Sequence, residues 1–299
     1  MFGGKEFLRP FQKTLTDVLT IKMSAPIIRR TDWSVPFYLR CNVPEFNSLN
    51  YRAVDGLITI EINRPPHNVL DIALMAELGR AVDLASKDQA AKALMITSTG
   101  DKVFSAGVDV MDHTPDKVVQ MIDTFHGLLK QVLTCPVPTI AALNGSAMGG
   151  GCELAIACDM VLAKENIKLG QPEIRLGVFP PIAAILLPKI VPMTKAMELL
   201  LGGGLITASE AKQIGLVNHI YPQSSFEADC RAFAGQFLSL SRVALVYSKR
   251  AIREASNKPF FEALFNLEQI YLKELMATAD AVEGLNSFME KRKPVWTNK

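Results

Sequence analysis

Apolar residues along the chain follow two rhythms. Leu57–Ile62, Ala93–Thr97, Thr139–Leu143 and Met160–Ala163 are short apolar runs that predict strands. The first of these stops at Arg64-Pro65-Pro66, where proline cannot extend a ladder. Between the runs the spacing changes to three and four. Leu74, Leu78, Val82 and Ala85 share one face of a helix predicted over Ile72–Ala85, with Asp71 as its cap. Val118, Ile122, Phe125, Leu129 and Val132 predict a second helix, for which Thr114-Pro115 offers a hydroxyl cap and a proline at the first helical position. Gly149-Gly150-Gly151 opens a third.

Beyond Pro180 the helical rhythm dominates. Thr207 with Glu210, and Ser224 with Glu227, have the spacing of capping boxes. Amphipathic stretches run over Phe226–Leu238, Arg242–Ala255, Phe260–Ala277 and Ala281–Lys291. Strands alternating with helices, followed by helices alone, predict an α/β core with a helical C-terminal part. No internal repeat interrupts this order.

Composition narrows the function classes. With 49% hydrophobic and 21% charged residues over 299 positions, the chain is an ordinary globular protein. The longest apolar run, Ile182–Val191, is cut by Pro188 and Lys189 and falls short of the ~18 residues a membrane span needs. A net charge of +2 gives no footing for nucleic acid or a membrane surface. Five cysteines (Cys41, Cys135, Cys152, Cys158, Cys230) never stand as CxxC, and the four histidines never as HxxxH. Neither a disulfide framework nor a metal site is expected, and a cytoplasmic location is.

The first 50 residues stand apart, with seven Lys/Arg against four Asp/Glu. They have no continuous apolar core or small-residue cleavage site for a secretory signal, and too many acids for a transit peptide. They are expected to be an accessory extension or an over-long start, with Met23 as an alternative initiator, ahead of one domain over 51–299.

Three segments carry candidate chemistry: Phe104–Asp109, Asn144–Leu154 and Gly170–Pro181. The triple glycine matches neither GxGxxG nor GxxxxGK[ST]. It can instead leave backbone N–H groups exposed at a helix start, where the helix dipole helps hold an oxygen gaining negative charge. Glu153 follows in the first turn, as a simple N-terminal charge or as a catalytic carboxylate. Glu173, twenty residues on, is a solvated loop residue or the partner of Glu153 in general acid and base work.

NGSAMGGGCELA and GQPEIRLG together resemble the enoyl-CoA hydratase/isomerase, or crotonase, superfamily, over about Tyr51–Lys299. The resemblance implies a ββα spiral core to about residue 200, a C-terminal helical segment, and a homotrimer or dimer of trimers. It implies an acyl-CoA substrate, with coenzyme A part of that substrate and no separate cofactor or metal. Matched residue by residue, the N–H groups of Val108 and Gly150 would form the oxyanion hole. The loop Ala106–Val110, with Ala106, Asp109 and Val110, would hold the adenine of CoA. Glu153 and Glu173 match the acid/base pair of hydratases, and having both favours hydration over isomerisation. Lys291, in Glu290–Lys293, resembles a lysine that reaches CoA phosphate; it also reads as a solvated helix end.

The chain departs from short-chain hydratases after Gly177. A PGAGG-like stretch is replaced by Val178-Phe179-Pro180-Pro181-Ile182, a stiffer and bulkier wall in which Phe179 and Pro181 would face the acyl group. GQPEIRLGVFPPIAA and Asp112-His113 resemble the family's cyclohexa-1,5-diene-1-carbonyl-CoA hydratases of anaerobic benzoyl-CoA degradation. His113 would line the acyl pocket or lead, exposed, into the next helix. The rival expectations are a linear 2-enoyl-CoA hydratase or isomerase and, more remotely, a scaffold binding RNA or protein. The last would need a basic stripe that 51–299 does not suggest.

Overall fold

The computed structural model describes residues 45–299. Met23, Cys41 and most of the expected extension lie outside the described residues. The first strand, β1 (Leu49–Val54), begins just ahead of Tyr51 and turns into β2 (Leu57–Ile62) through Asp55-Gly56. Both turn residues have positive φ, 51° and 86°, the geometry of a two-residue hairpin. β1 has no apolar run, because it is an edge strand with only Leu49 buried.

Two sheets grow from successive strand pairs. β3 (Ala93–Ser98), β5 (Thr139–Leu143) and β7 (Met160–Lys164) enter a six-stranded sheet ordered β1-β2-β3-β5-β7-β10, with β10 at His219–Tyr221. β4 (Val103–Ser105), β6 (Ser146–Met148), β8 (Lys168–Gly170) and β9 (Leu205–Thr207) form a second sheet in that order. Among the described residues only the β1/β2 and β8/β9 pairs are antiparallel. The pairs β3/β4, β5/β6 and β7/β8 thus each place one strand in each sheet before the chain returns through a helical segment, which is the expected ββα spiral.

The returning helices follow the sequence rhythm. α1 (Ile72–Lys87) is capped by Asp71, whose carboxylate accepts the Leu74 N–H at 2.8 Å, and it buries Leu74, Leu78, Val82 and Ala85. α2 (Val118–Thr134) buries Phe125, Leu129 and Val132. It begins three residues later than Thr114-Pro115 predicts: Thr114 closes a 3₁₀ turn over Val110–His113, its carbonyl accepting from Lys117 and Val118, and Lys117 occupies the cap position. α3 (Gly150–Ala157) buries all eight of its residues. The outer face of the large sheet, with Leu57, Met95, Ile140 and Leu162, is covered by Phe226, Cys230 and Ala234 of α7 (Phe226–Leu238). Burial on both faces explains the continuous apolar runs.

α4 (Pro181–Ile190), α5 (Met193–Gly202) and α6 (Ala208–Gln213) continue the chain, and α6 carries the expected Thr207–Glu210 capping box. The Ser224–Glu227 box does not form. Ser224 lies inside a turn closed by Ser225 N–H onto Pro222 O, so Ser225 takes the cap position without a side-chain bond. α8 (Arg242–Ala255) is tied to the core by Arg242 Nε to Ala91 O and Lys249 Nζ to Val137 O, both at 2.9 Å. The predicted stretch Phe260–Ala277 divides into α9 (Phe260–Gln269), a π turn over Ile270–Glu274 and a 3₁₀ turn over Leu275–Ala277. α10 (Ala279–Met289) starts at its Thr278 cap, two residues ahead of the expected Ala281. Among the described residues no helix is long and apolar enough to cross a membrane.

Candidate active site

The end of β6 and the start of α3 are crowded from two sides. Gly149 has φ 54° and ψ −129°, a backbone state that side chains disfavour, and a Cβ there would sit 2.8 Å from Glu173 Oε1. A Cβ on Gly151 would lie 2.6 Å from Ser105 Cβ, and one on Gly150 would lie 2.6 Å from Val108 Cγ2. The triple glycine therefore makes room for protein, the loop after β4, as well as exposing N–H groups.

That loop is fixed by α1's approach. Leu70 donates its N–H to Gly107 O at 2.9 Å and accepts from Asp109 N at 3.1 Å. In such a parallel bridge the intervening Val108 N–H faces away from Leu70, and it lies 3.3 Å from where a Gly150 Cβ would be. Among the described residues neither the Val108 nor the Gly150 N–H has a main-chain acceptor outside regular elements. Two neighbouring donors with no protein acceptor can hold an oxygen that becomes negative. Elsewhere in the loop, Ala106 donates to His67 O at 3.0 Å, and Asp109 accepts from Met111 N at 2.9 Å. Val110 is exposed.

Glu153 is 3% exposed, and its Oε1 accepts the Ala183 N–H at 2.9 Å from the first turn of α4. Burial pushes its carboxyl up to about 7; the Ala183 and Ile182 N–H groups oppose the shift and the charge of Glu173 adds to it. Glu173 is half-buried on a 3₁₀ turn, Pro172–Leu176. Burial raises its carboxyl too, opposed by its own backbone N–H and by His113. The two expected carboxyls thus feel one another, and burial disfavours charging both together. The Cys152 thiol, beside both, is pushed up to about 12 by burial and is no nucleophile.

Gln171 completes the group and was not singled out by sequence reasoning. It is 1% exposed; with its amide nitrogen toward Glu173 it donates to Oε1 at 3.1 Å, Oε2 at 3.3 Å and Gly149 O at 3.2 Å. Its signal was a polar side chain locked between Gly170 and Pro172. Asp112, also passed over for a role, is buried and accepts the Ile72 N–H at 3.1 Å, fastening the 3₁₀ turn to α1.

Gly177 closes the 3₁₀ turn in the left-handed region, at φ 78°. Pro180 and Ala183 are buried, Pro181 starts α4 and Phe179 is 69% exposed in the single chain. Lys291 is exposed past the end of α10 at φ 55°, and no contact joins it to either glutamate. Among the described residues no cluster of His, Cys, Asp and Glu could hold a metal ion.

The family pattern described as Enoyl-CoA hydratase/isomerase matches residues 52–299. Cyclohexa-1,5-dienecarbonyl-CoA hydratase of Thauera aromatica is 39% identical over 246 residues, which cover 82% of this chain and 95% of that one. Crotonyl-CoA hydratase of Syntrophomonas wolfei is 35% identical over 251 residues, 82% and 96% of the respective chains. The crystal structure of an enoyl-CoA hydratase from Geobacillus kaustophilus superposes with a TM-score of 0.81 at 29% identity, covering 86% of this chain and 98% of that one. With the pattern spanning most of the chain and the same spiral beneath it, this protein is an enzyme of the enoyl-CoA hydratase/isomerase family.

Proposed function

We propose that the enzyme adds water to a conjugated enoyl-CoA thioester, with cyclohexa-1,5-diene-1-carbonyl-CoA as its favoured substrate. The observation that carries hydration is the meeting of two carboxyls, Glu153 and Glu173, beside two N–H donors, Val108 and Gly150. The thioester carbonyl accepts from both donors. One carboxylate takes a proton from water as the water oxygen bonds to the β-carbon. The C=C π pair shifts toward the carbonyl, building charge on the thioester oxygen. The other glutamate, in its acid form, then delivers a proton to the α-carbon. Each oxyanion donor is worth on the order of 3 kcal/mol to that charge. One proton on the pair is the form this chemistry requires, and burial at both sites favours it.

The cyclic acyl group is supported by the Phe179–Ile182 wall and by the likeness to the Thauera aromatica hydratase. A linear 2-enoyl-CoA is the second reading, supported by the likeness to crotonyl-CoA hydratase. Coenzyme A enters as part of the substrate. The enzyme assembles as a homotrimer or dimer of trimers, a reading supported by Phe260, Phe261, Phe265 and Phe288 exposed on α9 and α10. Its place is the cytoplasm, in keeping with Cys135, Cys152, Cys158 and Cys230 being free.

The test is a panel of cyclic and linear thioesters run in H₂¹⁸O. Label in the product at the highest kcat/KM on the cyclic dienoyl thioester is the expected result. Preference for crotonyl-CoA would replace the substrate, and product without label would replace hydration by isomerisation.

A further inference from the structure

Gln171 stands between two fixed points of the backbone. Ahead of it β8 ends at Gly170, which pairs with Met148 and accepts the Gly149 N–H at 3.0 Å. No side chain fits at Gly170, where a Cβ would lie 2.5 Å from Gly204 O. After it Pro172 opens the 3₁₀ turn of Glu173 with its φ already set. Gln171 is 1% exposed, so its amide must find its partners within the protein.

Three acceptors meet that amide. Gly149 O can only accept, which turns the nitrogen toward it, at 3.2 Å, and toward Glu173 Oε1 and Oε2, at 3.1 and 3.3 Å. Gly149 O also accepts the Glu153 N–H at 2.9 Å, at the start of α3. One buried side chain therefore spans from the Glu173 carboxyl to the carbonyl that precedes the Gly150 donor and receives the backbone of Glu153.

We infer that Gln171 is a positioning residue, whose amide clasps Glu173 and fixes its carboxylate relative to the Gly149–Gly150 turn before a substrate binds. The inference rests on the hydration reading for its purpose and on these hydrogen bonds for its substance. A carboxylate held in place has less freedom to lose on the way to the transition state. An N–H donor also bonds a carboxylate more strongly than a carboxylic acid, so the clasp favours the charged form of Glu173 against the burial that opposes it.

The experiment uses the whole enzyme labelled with ¹³C at the glutamate side-chain carboxyls, the Glu173 signal being assigned with E173Q. Gln171→Met keeps the length of the side chain and loses the donors. Gln171→Asn keeps an amide but is one methylene shorter, which breaks the span from Gly149 O to Glu173. In both, without substrate, the Glu173 carboxyl should titrate at higher pH than in the wild type. In both, kcat for hydration of the panel's best thioester should fall by about 10–10²-fold, with KM nearly unchanged. An unmoved titration in a folded variant overturns the inference. So does a raised KM at unchanged kcat, which would make Gln171 part of the substrate wall. Loss of the fold in both variants, seen by circular dichroism, overturns it too and leaves the amide a brace of the core. A wild type that hydrates no thioester, with the titration still moved by the variants, would sink the hydration reading and leave the clasp standing.

Discussion

α3 and α8 solve opposite problems. α3 buries all eight of its residues and carries one ionisable carboxyl, Glu153. α8 has 14 residues and buries only Arg242. Around α3 the fit is steric: Ser105, Val108, Phe125 and Glu173 fill the places where its glycines would have side chains. α8 is held by charge instead, with Lys249 and Arg253 on Asp159 at 2.5 and 2.7 Å and Arg250 on Glu274 at 2.6 Å. A group placed in the first environment is desolvated and tuned; a segment attached in the second way is exposed to salt, and its apolar side chains are only partly covered.

The largest effect expected from this contrast is catalytic. Glu153→Gln, isosteric in a packed site, should lower kcat by about 10²–10⁴-fold while the circular dichroism spectrum stays that of the folded wild type. Turnover within a few-fold of wild type would show that the buried carboxyl takes no part in the reaction.

The same burial has a pH signature. The Glu153 carboxyl titrates higher folded than unfolded, so the folded state holds the extra proton. Its stabilising contribution is complete below about 4.5 and is lost as pH rises toward about 7. Relative to the wild type, E153Q should therefore gain stability across that window by roughly 3 kcal/mol, measured by urea denaturation at pH 5 and pH 8. Parallel stability curves would mean that the site is wetter than its 3% exposure indicates.

Packing comes next in size. Gly151→Ala places a methyl 2.6 Å from Ser105 Cβ and should destabilise the fold by about 2 kcal/mol. The corresponding change at Gly235, in α7, meets nothing within 4 Å and should be neutral or slightly stabilising. Equal losses at the two sites would remove the steric account of the packing around α3.

Much of the molecule could be read from spacing, and the failures share a cause. The α1 and α2 faces, the four inner strands and the Thr207–Glu210 box all depend on residues close in sequence. Glu153 and Glu173 stood out by their context of glycine and proline, although that they influence one another required the fold. β1 escaped notice because an edge strand has no apolar run, yet Asp55-Gly56 marked its hairpin. Thr114 and Ser224 have capping chemistry but are used up by turns that precede the helices. Nothing local told that the loop Ser105–Val108 lies against three glycines more than forty positions away, or that Gln171 faces Glu173. Those are products of the spiral's return.

The smallest predicted effect on core stability lies at the C-terminus. Asp280 accepts from Ser241 Oγ at 2.6 Å and Thr297 N at 2.7 Å, pinning the last residues to α8 and α10. Asp280→Ala should make the tail after Lys291 sensitive to trypsin while urea stability of the core changes by less than about 1 kcal/mol. A cooperative loss of the whole fold would show that the C-terminal helices belong to the same folding unit as the spiral.

The Ala183 N–H that reaches Glu153 belongs to the same first turn of α4 that Pro181 begins. On the hydration proposed above, reshaping this wall for a new acyl group also alters the acid strength of the Glu153 carboxyl. Substrate range and proton affinity would then be joined through one hydrogen bond, from the Ala183 N–H to Glu153.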